Sequence, residues 1–478
     1  MEQPLNKNIL LNIIKSTSTA IFPLLVYPYI LRVLGANGIG KVNFSLSVIN
    51  YFSAFASLGM SSYAIRECSR LINDNNDLEK TASVLFSINI VATIVAYICL
   101  FFLLFFKTFR NYRSLLILQS LSIICTTFGA DWLNVAMSDF KYLTLRTLCI
   151  QCLSLILIYS FVKTPDDYIK YAFILVFSNS GSSVLNYFYR KKFCNIYLIF
   201  NSQFKTHLKK IIPFFLLLIT QTIYTNGCIT LLGIFKGDYE VGIFSLSNKI
   251  YLLVNTLVAS VSLVIIPTVS NSYAKNDVRK MQYTLNFALK FILMMGVPAI
   301  VGLNIACKEI VLLFAGEQFL GSIIPLHILT VAMFFSFISG FMSSICLIPT
   351  GDEHICLYAS ITSTIVSVLS GLFFIPKWGE CGAAISVMLS ELVGCLVLIK
   401  KVVNRLNYEH DKNFAVSLFL GNFFIIIVGF LSQLFGEIST IQMLVFKITF
   451  SVLGYIIIMI FFRNSIFFSL LNKKKIEN

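Results

Sequence analysis

The sequence predicts an all-α polytopic membrane protein with about fourteen transmembrane helices, and three observations support this. The chain of 478 residues is 57% hydrophobic and 12% charged, with a mean hydropathy of +0.83. This composition excludes a soluble globule and a disordered chain. Apolar runs of about 20 residues, the length that crosses a bilayer, recur along the whole chain. These runs are continuous and lack the alternation of a transmembrane β-barrel.

Fourteen apolar runs are long enough to cross the membrane. Because the connections between them are short, no soluble catalytic domain can lie in them. The first run is too long for a signal peptide and lacks a small-residue cleavage site, so we expect it to be retained as a span. The predicted spans are residues 9–31, 42–64, 81–106, 115–137, 143–162, 168–189, 211–235, 244–270, 284–306, 323–349, 355–376, 379–399, 414–436 and 441–462.

A short motif occurs twice in the chain. The stretch from Leu34 to Gly40 and the following Phe-Ser-Leu-Ser at 44–47 return as Leu232 to Gly242 and Phe-Ser-Leu-Ser at 244–247. Each copy lies at the turn between the first and second spans of a six-span block. Two such blocks in one orientation are parallel repeats, which in transporters enclose a central site.

This repetition predicts the domain organisation. We expect an N-lobe of spans 1–6 over residues 1–192, a basic cytoplasmic linker over 193–210 and a C-lobe of spans 7–12 over 211–400. Residues 401–478 hold spans 13 and 14 and a basic C-terminal tail. We expect the two six-helix lobes to surround a central cavity.

Basic residues predict the orientation in the membrane. Of the 37 Lys and Arg, 22 lie on the side of the N-terminus, 10 on the other side and five within spans. The positive-inside rule therefore places both termini in the cytoplasm. Basic loops facing anionic lipid headgroups account for the net charge of +15, so the charge does not indicate a nucleic-acid partner.

Motifs for enzyme chemistry and for cofactors are not recognisable. Gly35, Gly40 and Lys41 match the spacing of a nucleotide-binding loop, but Val42 follows and has no hydroxyl for Mg²⁺. The four histidines are scattered, and the Cys149 and Cys152 pair lies in an apolar run without a second pair. We therefore expect no enzyme, no metal and no cofactor.

Two polar stripes run along predicted spans. Five polar residues share one face of the second span, and three residues of the seventh span repeat every four positions. Such stripes avoid lipid, and they either hydrogen-bond a neighbouring helix or line a wet cavity. They are Asn43, Ser47, Asn50, Ser57 and Ser61 in the second span, and Thr222, Asn226 and Thr230 in the seventh.

Charged residues within spans are the candidate functional groups, because an ionised group there costs several kcal/mol without water or a partner. Arg146 and Lys447 are close enough to a span end to snorkel. Lys15, Lys249 and Lys290 come from both blocks and suggest a shared cationic chamber. With Arg32 and Arg66 at span ends, these three lysines are the predicted substrate-binding residues.

Two acidic residues also lie within spans. Glu391 is about a dozen residues from the start of its span, and its short side chain cannot reach water by snorkelling. We expect Glu391 to be the ion-coupling residue, assisted by Asp131. A fixed salt bridge from Glu391 to one of the buried lysines is the alternative.

Motifs in order along nearly the whole chain resemble the bacterial O-antigen flippases of the multidrug, oligosaccharidyl-lipid and polysaccharide exporter superfamily. The first motif reads Pro-Tyr-Ile-Leu-Arg-Val-Leu-Gly at 28–35. The others are Gly59 with Arg66, Val-Gly-Ile-Phe at 241–244 with Lys249, Pro267, Phe-Ala-Gly-Glu-Gln-Phe at 314–319, and Gly379 to Ala384 with Glu391.

The resemblance implies two six-helix lobes, open alternately to each side of the bacterial inner membrane. It implies that undecaprenyl-diphosphate-linked sugar repeat units are carried from the cytoplasmic to the periplasmic leaflet during lipopolysaccharide biosynthesis. Because no ATP site is present, we expect an antiporter driven by H⁺ or Na⁺. Other O-antigen assembly proteins are expected partners.

Three other functions are alternatives for a chain of this composition. A multidrug exporter of the same superfamily is expected to have more acidic charge in its cavity than two acids against five bases. A polymerase is expected to have a long periplasmic loop, which the short connections exclude. A peptidoglycan-precursor flippase shares the cationic cavity and stays open as an alternative.

The basic asymmetry generates a first prediction. Reporter fusions after Lys210 and after Lys475 should both report a cytoplasmic location, and a fusion after Cys307 should report a periplasmic one. Paired phosphatase and fluorescent-protein reporters measure this in intact cells. A periplasmic location for the C-terminal fusion would contradict the count of fourteen spans.

Overall fold

The computed structural model describes residues 5–72, 74–403, 411–434 and 439–471. The basic tail at 473–475 lies outside these residues. The described residues form helices and no strand, which confirms the all-α polytopic fold. Their α-helices are α1 Leu5–Ser57, α2 Met60–Ser69, α3 Asn75–Leu103, α4 Arg113–Gly129, α5 Asp131–Ala136, α6 Phe140–Phe161, α7 Tyr168–Tyr189, α8 Ser202–Phe235, α9 Asp238–Ala274, α10 Val278–Ile305, α11 Cys307–Ala315, α12 Ile323–Gly340, α13 Glu353–Val402, α14 Lys412–Ser432, α15 Thr440–Phe461 and α16 Ser465–Leu471.

Every predicted span is largely helical where the structure describes it, with breaks at residues 58–59 in the second span and at Ala130 in the fourth. Eight helical segments in this part of the chain are long and apolar enough to cross a membrane by themselves. Helices α1 and α13 each hold two predicted spans, joined at Gly35 (φ 65°) and Gly379 (φ 52°). Glycine adopts a positive φ more easily than other residues do, so the kinks between the paired spans depend on these two residues.

Short polar side chains mark the starts of several helices. The Asp74 carboxylate accepts hydrogen bonds from the first turn of α3, and Asp411 does the same for α14. Ser439 and Gln442 form a capping box at the start of α15. These caps satisfy amide groups that have no partner inside the helix.

The chain divides into two compact units, residues 1–242 and 243–478. In unit 1, α1 packs against α3, α4, α6 and α8. Buried side chains from α2, α3 and α5, among them Tyr63, Leu85 and Leu133, form a core there. Helix α8 thus belongs to unit 1, whereas the sequence-based division assigns it to the C-lobe.

Unit 2 contains most of α9 and all later helices. Helix α12 packs against α13, α14 packs against α15, and α10 contacts both α12 and α14. Met294, Phe414, Met459 and Ile466 form a core between α10, α14, α15 and α16. The predicted spans 13 and 14 are therefore integral to this unit.

An ion pair attaches α15 to the rest of unit 2. The Lys447 ammonium donates to Glu309 Oε1 at 2.6 Å and to the carbonyl oxygen of Ile305 at 3.0 Å. Both charged side chains are largely buried, with exposed fractions of 10% and 13%. The snorkelling expected for Lys447 is therefore wrong, because a carboxylate inside the protein satisfies its charge.

This pair generates a stability prediction. Replacing Lys447 by Met leaves the Glu309 carboxylate buried without its cation, which typically costs about 3–5 kcal/mol. We expect a clear drop in the melting temperature of the detergent-purified protein for Lys447→Met. The double variant Lys447→Met with Glu309→Gln, which removes both charges, should recover part of the loss. Equal melting temperatures for the parent and Lys447→Met would contradict this role.

Candidate functional site

Helix α4 breaks in unit 1 immediately before the half-buried carboxylate of Asp131. It ends at Gly129, and Ala130 adopts left-handed backbone angles (φ 49°, ψ 48°) before α5 starts at Asp131. The Asn186 amide donates to the Gly129 carbonyl at 2.8 Å and to Asn134 Oδ1 at 2.7 Å. A strained non-glycine residue persists only where its surroundings hold it, and such residues concentrate at functional sites.

Asp131 pairs with Arg146 of α6. Arg146 Nη2 lies 2.7 Å from Asp131 Oδ2, which also accepts a hydrogen bond from Ser183 Oγ at 3.1 Å. Arg146 Nη1 donates to the Ser182 carbonyl at 2.9 Å. The Arg146 side chain is only 3% exposed, so the expectation that it snorkels is wrong: the carboxylate and the α7 backbone hold it inside unit 1.

Lys15 joins this pair electrostatically. Its half-buried ammonium is close enough to interact with both Asp131 and Arg146. We name these three residues the Arg146 cluster. Two cations and one carboxylate give the Arg146 cluster a formal net charge of +1, which favours an anionic ligand.

Several buried polar atoms at the Arg146 cluster lack a hydrogen-bond partner among the described residues. They include Asp131 Oδ1, Arg146 Nε, Asn134 Nδ2 and Asn186 Oδ1. Buried polar atoms of a folded protein normally have partners, including ordered water. The cluster therefore retains capacity to bind water or polar ligand atoms.

Glu391 occupies the second site, in unit 2. Its Oε1 accepts a hydrogen bond from the Tyr251 hydroxyl at 2.7 Å. Tyr251 is 4% exposed and also hydrogen-bonds Ser336 and Asn255. A carboxylate of α13 is thus connected to α9 and α12 through one phenol, and we name Glu391 and Tyr251 the Glu391 site.

The remaining predicted residues lie in different surroundings. Lys249 is half-buried on α9. Lys290 is 7% exposed and pairs with Asp411, the cap of α14, at 3.4 Å. Arg32 is exposed, and Arg66 is exposed beside Glu67 at 3.1 Å. Of the predicted set, Lys15 and Asp131 lie within electrostatic range of each other.

Two residues of these sites were not predicted as functional. Arg146 was an identifiable in-span charge, but position alone could not show that Asp131 would lie beside it. Tyr251 is one of 21 tyrosines and follows Lys249 by two positions. No pattern in the sequence distinguishes it, because its role depends on a helix far away in the chain.

One of the four histidines also has a defined partner. His207 accompanies Tyr63, with 2.8 Å between His207 Nδ1 and the Tyr63 hydroxyl. His207 lies near the start of α8, in the predicted basic linker. This contact joins the start of α8 to α2.

The family model described as "Polysaccharide biosynthesis protein" matches residues 5–273, more than half of the chain. The chain belongs to this family. A Shigella dysenteriae protein named "Putative O-antigen transporter" is 24% identical to this chain over 401 residues, and the match covers 83% of this chain and all of that one. An Escherichia coli K12 protein of the same name is 21% identical, covering 84% of this chain and 98% of that one.

Solved structures share the fold of this family member. "Lipid II flippase MurJ, inward closed conformation" has a TM-score of 0.77 at 19% identity, covering 96% of this chain and 100% of that chain. An inward-facing multidrug resistance MATE family transporter of the MOP superfamily has a TM-score of 0.63 at 15% identity, covering 81% and 95%. The chain is therefore a multi-pass membrane protein with a transporter fold.

Proposed function

We propose that this protein is a flippase that moves undecaprenyl-diphosphate-linked O-antigen or polysaccharide repeat units from the cytoplasmic to the periplasmic leaflet of the bacterial inner membrane. It acts by alternating access and makes or breaks no covalent bond. Family membership and the relatives named as O-antigen transporters support this proposal.

The main structural support for this proposal is the net positive charge of the Arg146 cluster. A sugar diphosphate cannot enter hydrocarbon unaided, whereas cations held inside the protein can replace its water and counter-ions. Asp131 and the Ser182 carbonyl hold Arg146 in place before any ligand arrives. The polyprenyl tail stays in lipid throughout, so only the headgroup needs a polar path.

The proposed headgroup-binding residues are Lys15, Arg32, Arg66, Lys249 and Lys290. Their contacts suggest two kinds of contribution. Lys15 and Lys249 are half-buried, whereas the Lys290 ammonium is paired with Asp411. We therefore expect Lys15 and Lys249 to contribute most to substrate binding and Lys290 to contribute most to stability.

Deleting the gene in a strain that makes O-antigen tests the function directly. Undecaprenyl-linked repeat units should accumulate on the cytoplasmic leaflet, and plasmid-borne protein should clear them. Translocated but unpolymerised units would indicate a polymerase instead. Complementation of a strain lacking its peptidoglycan-precursor flippase would favour that alternative, since the two substrates share the lipid diphosphate.

Lysine variants in the same strain test the headgroup site. Hydrogen bonds to charged groups contribute about 1.5–3 kcal/mol, so Lys15→Ala and Lys249→Ala should lower O-antigen display about tenfold or more at normal protein level. Arginine at either position should retain more O-antigen display than alanine does, because arginine keeps the positive charge that attracts the diphosphate. The exposed Lys401→Ala is the matched control, and Lys290→Ala should lower protein abundance. Normal display by both alanine variants would reject the cationic site.

We further propose that Glu391 couples transport to a gradient of H⁺ or Na⁺, assisted by Asp131. The Tyr251 hydroxyl donates a neutral hydrogen bond to Glu391, so the carboxylate can exchange a proton or a cation without losing its position. Asp131 is already balanced by Arg146 at 2.7 Å. We therefore expect Asp131 to keep Arg146 in position while Glu391 binds and releases the coupling ion.

Glu391→Gln separates coupling from structure. The variant should fold and bind lipid-linked sugar in proteoliposomes, yet its transport should no longer respond to an imposed pH or sodium gradient. Glu353→Gln, at the exposed start of the same helix, is the control and should respond like the parent. Gradient-driven transport that persists in Glu391→Gln would remove Glu391 from the mechanism. Low expression rescued by neutralising a lysine would indicate a structural salt bridge.

A further inference from the structure

Four basic residues are buried in the described part of the chain, namely Arg146, Arg190, Lys290 and Lys447. Three of them lie within 3.4 Å of a carboxylate. Arg190 is the exception. It is 5% exposed, and no carboxylate among the described residues lies within ion-pair distance of its guanidinium. A buried cation is costly without an opposite charge or water, so Arg190 requires a counter-ion from outside the chain.

Two aromatic rings flank the Arg190 guanidinium. Its Cζ lies 4.7 Å from the centre of the Phe86 ring of α3 and 5.0 Å from that of the Tyr187 ring of α7. Aromatic faces attract a cation and hold it in place, but they carry no net charge that could neutralise it. Arg190 Nη1 is buried and has no hydrogen-bond partner among the described residues. The guanidinium is therefore positioned with donor capacity unused.

The titratable neighbours of Arg190 do not supply the missing charge. Cys194, four positions later in the chain, is buried and interacts electrostatically with Arg190. Burial raises the pKa of the Cys194 thiol to about 11, so this thiol is neutral at neutral pH. The half-buried Glu79 of α3 interacts with Cys194 but forms no ion pair with Arg190. The counter-ion is therefore not one of these side chains.

In the predicted orientation, Arg190 lies at the cytoplasmic boundary of the membrane. It directly follows the last residue of the predicted sixth span. Tyr187 is 37% exposed and the neighbouring Phe188 is more exposed still, as expected for side chains that face lipid at the end of a span. Tyr187 thus separates Arg190 from the surrounding lipid. Displacement of this one ring opens a path from the headgroup level to Nη1.

The linker that follows Arg190 extends this surface. Its irregular segment 194–200 is attached to the first turns of the third span, because the amides of Tyr197 and Ile199 donate to serine hydroxyls of α3 at 3.2 and 2.8 Å. Three large apolar side chains of the segment are nevertheless exposed, namely Tyr197, Leu198 and Phe200. The exposed lysines on either side of it are Lys191, Lys192, Lys205, Lys209 and Lys210. Exposed apolar and basic groups together are typical of a surface that contacts anionic lipid headgroups.

We propose that Arg190 binds the phosphate of an acidic glycerophospholipid of the cytoplasmic leaflet. The phosphate neutralises the buried guanidinium through a charge-assisted hydrogen bond to Nη1, and the acyl chains lie against the lipid-facing side of Tyr187 and Phe188. These lipid-facing side chains favour a phospholipid over free phosphate, since only a lipid has chains to bury there. The bound phospholipid is a resident ligand and is not the transported lipid. Its binding is therefore independent of the proposed flippase function.

Native mass spectrometry of the detergent-purified full chain tests this site. The parent chain should bind one phosphatidylglycerol about tenfold or more tightly than phosphatidylcholine, and Arg190→Gln should lose this preference. Lys191→Gln is the matched control, because it removes the same charge from the adjacent exposed position, and it should bind like the parent. A parent chain without the preference, or a folded Arg190→Gln variant that keeps it, would overturn the proposal.

Melting temperatures give a second measurement. Phosphatidylglycerol should raise the melting temperature of the parent and of Lys191→Gln, and it should leave that of Arg190→Gln unchanged. Should Arg190→Gln fail to fold, Arg190→Lys decides, because lysine keeps the charge but lacks the planar group that packs between Phe86 and Tyr187. Its affinity for phosphatidylglycerol should fall at least threefold, and an affinity equal to that of the parent would contradict the site.

Competing anions and a glutamate variant exclude the other sources of negative charge. Excess inorganic phosphate or undecaprenyl diphosphate should not displace phosphatidylglycerol from the parent chain, and displacement by either would overturn the assignment to a phospholipid. Glu79→Gln should bind phosphatidylglycerol like the parent. A fall in melting temperature for Glu79→Gln that disappears in the Arg190→Gln background would identify Glu79 as the counter-ion and reject the proposal.

Discussion

An ionised side chain inside a membrane costs several kcal/mol unless it meets an opposite charge or water. This cost determines where the buried charges of the protein lie. Arg146 meets Asp131, Lys447 meets Glu309, and Lys290 meets the cap of α14. Each pair joins helices of one unit, so the charges also hold those helices together. The Arg146 cluster differs because Lys15 adds a second cation to a single carboxylate.

Unit 1 contains two chemically different kinds of contact between helices. The break in α4 is fixed by an ion pair and by amide hydrogen bonds to α7, which favours a rigid site. The meeting of α1 with α8 consists of glycine packing and neutral hydrogen bonds. The ion pair and the neutral contact therefore stabilise unit 1 in different ways.

Hydropathy and spacing predicted the helical architecture because the membrane imposes one length and one composition on every span. All fourteen predicted runs are largely helical where the chain is described, but hydropathy did not predict the breaks at residues 58–59 and at Ala130. The pairing of charges could not be predicted this way. Snorkelling was expected for Arg146 and Lys447 from their positions near span ends, whereas carboxylates on other helices bind them. Tyr251 likewise acquires its role from Glu391, 140 positions later, and hydropathy carries no information about such distant partners.

The central claim is that cations inside this protein carry a lipid-linked sugar diphosphate across the membrane. The most direct test reconstitutes the purified chain in liposomes that hold an undecaprenyl-diphosphate oligosaccharide in one leaflet and measures its arrival in the other with an impermeant lectin. The account predicts transfer well above that of empty liposomes under an imposed ion gradient, and a tenfold or greater reduction for Lys15→Ala and Lys249→Ala. Transfer no faster than in empty liposomes, or equal transfer by folded alanine variants, would contradict it.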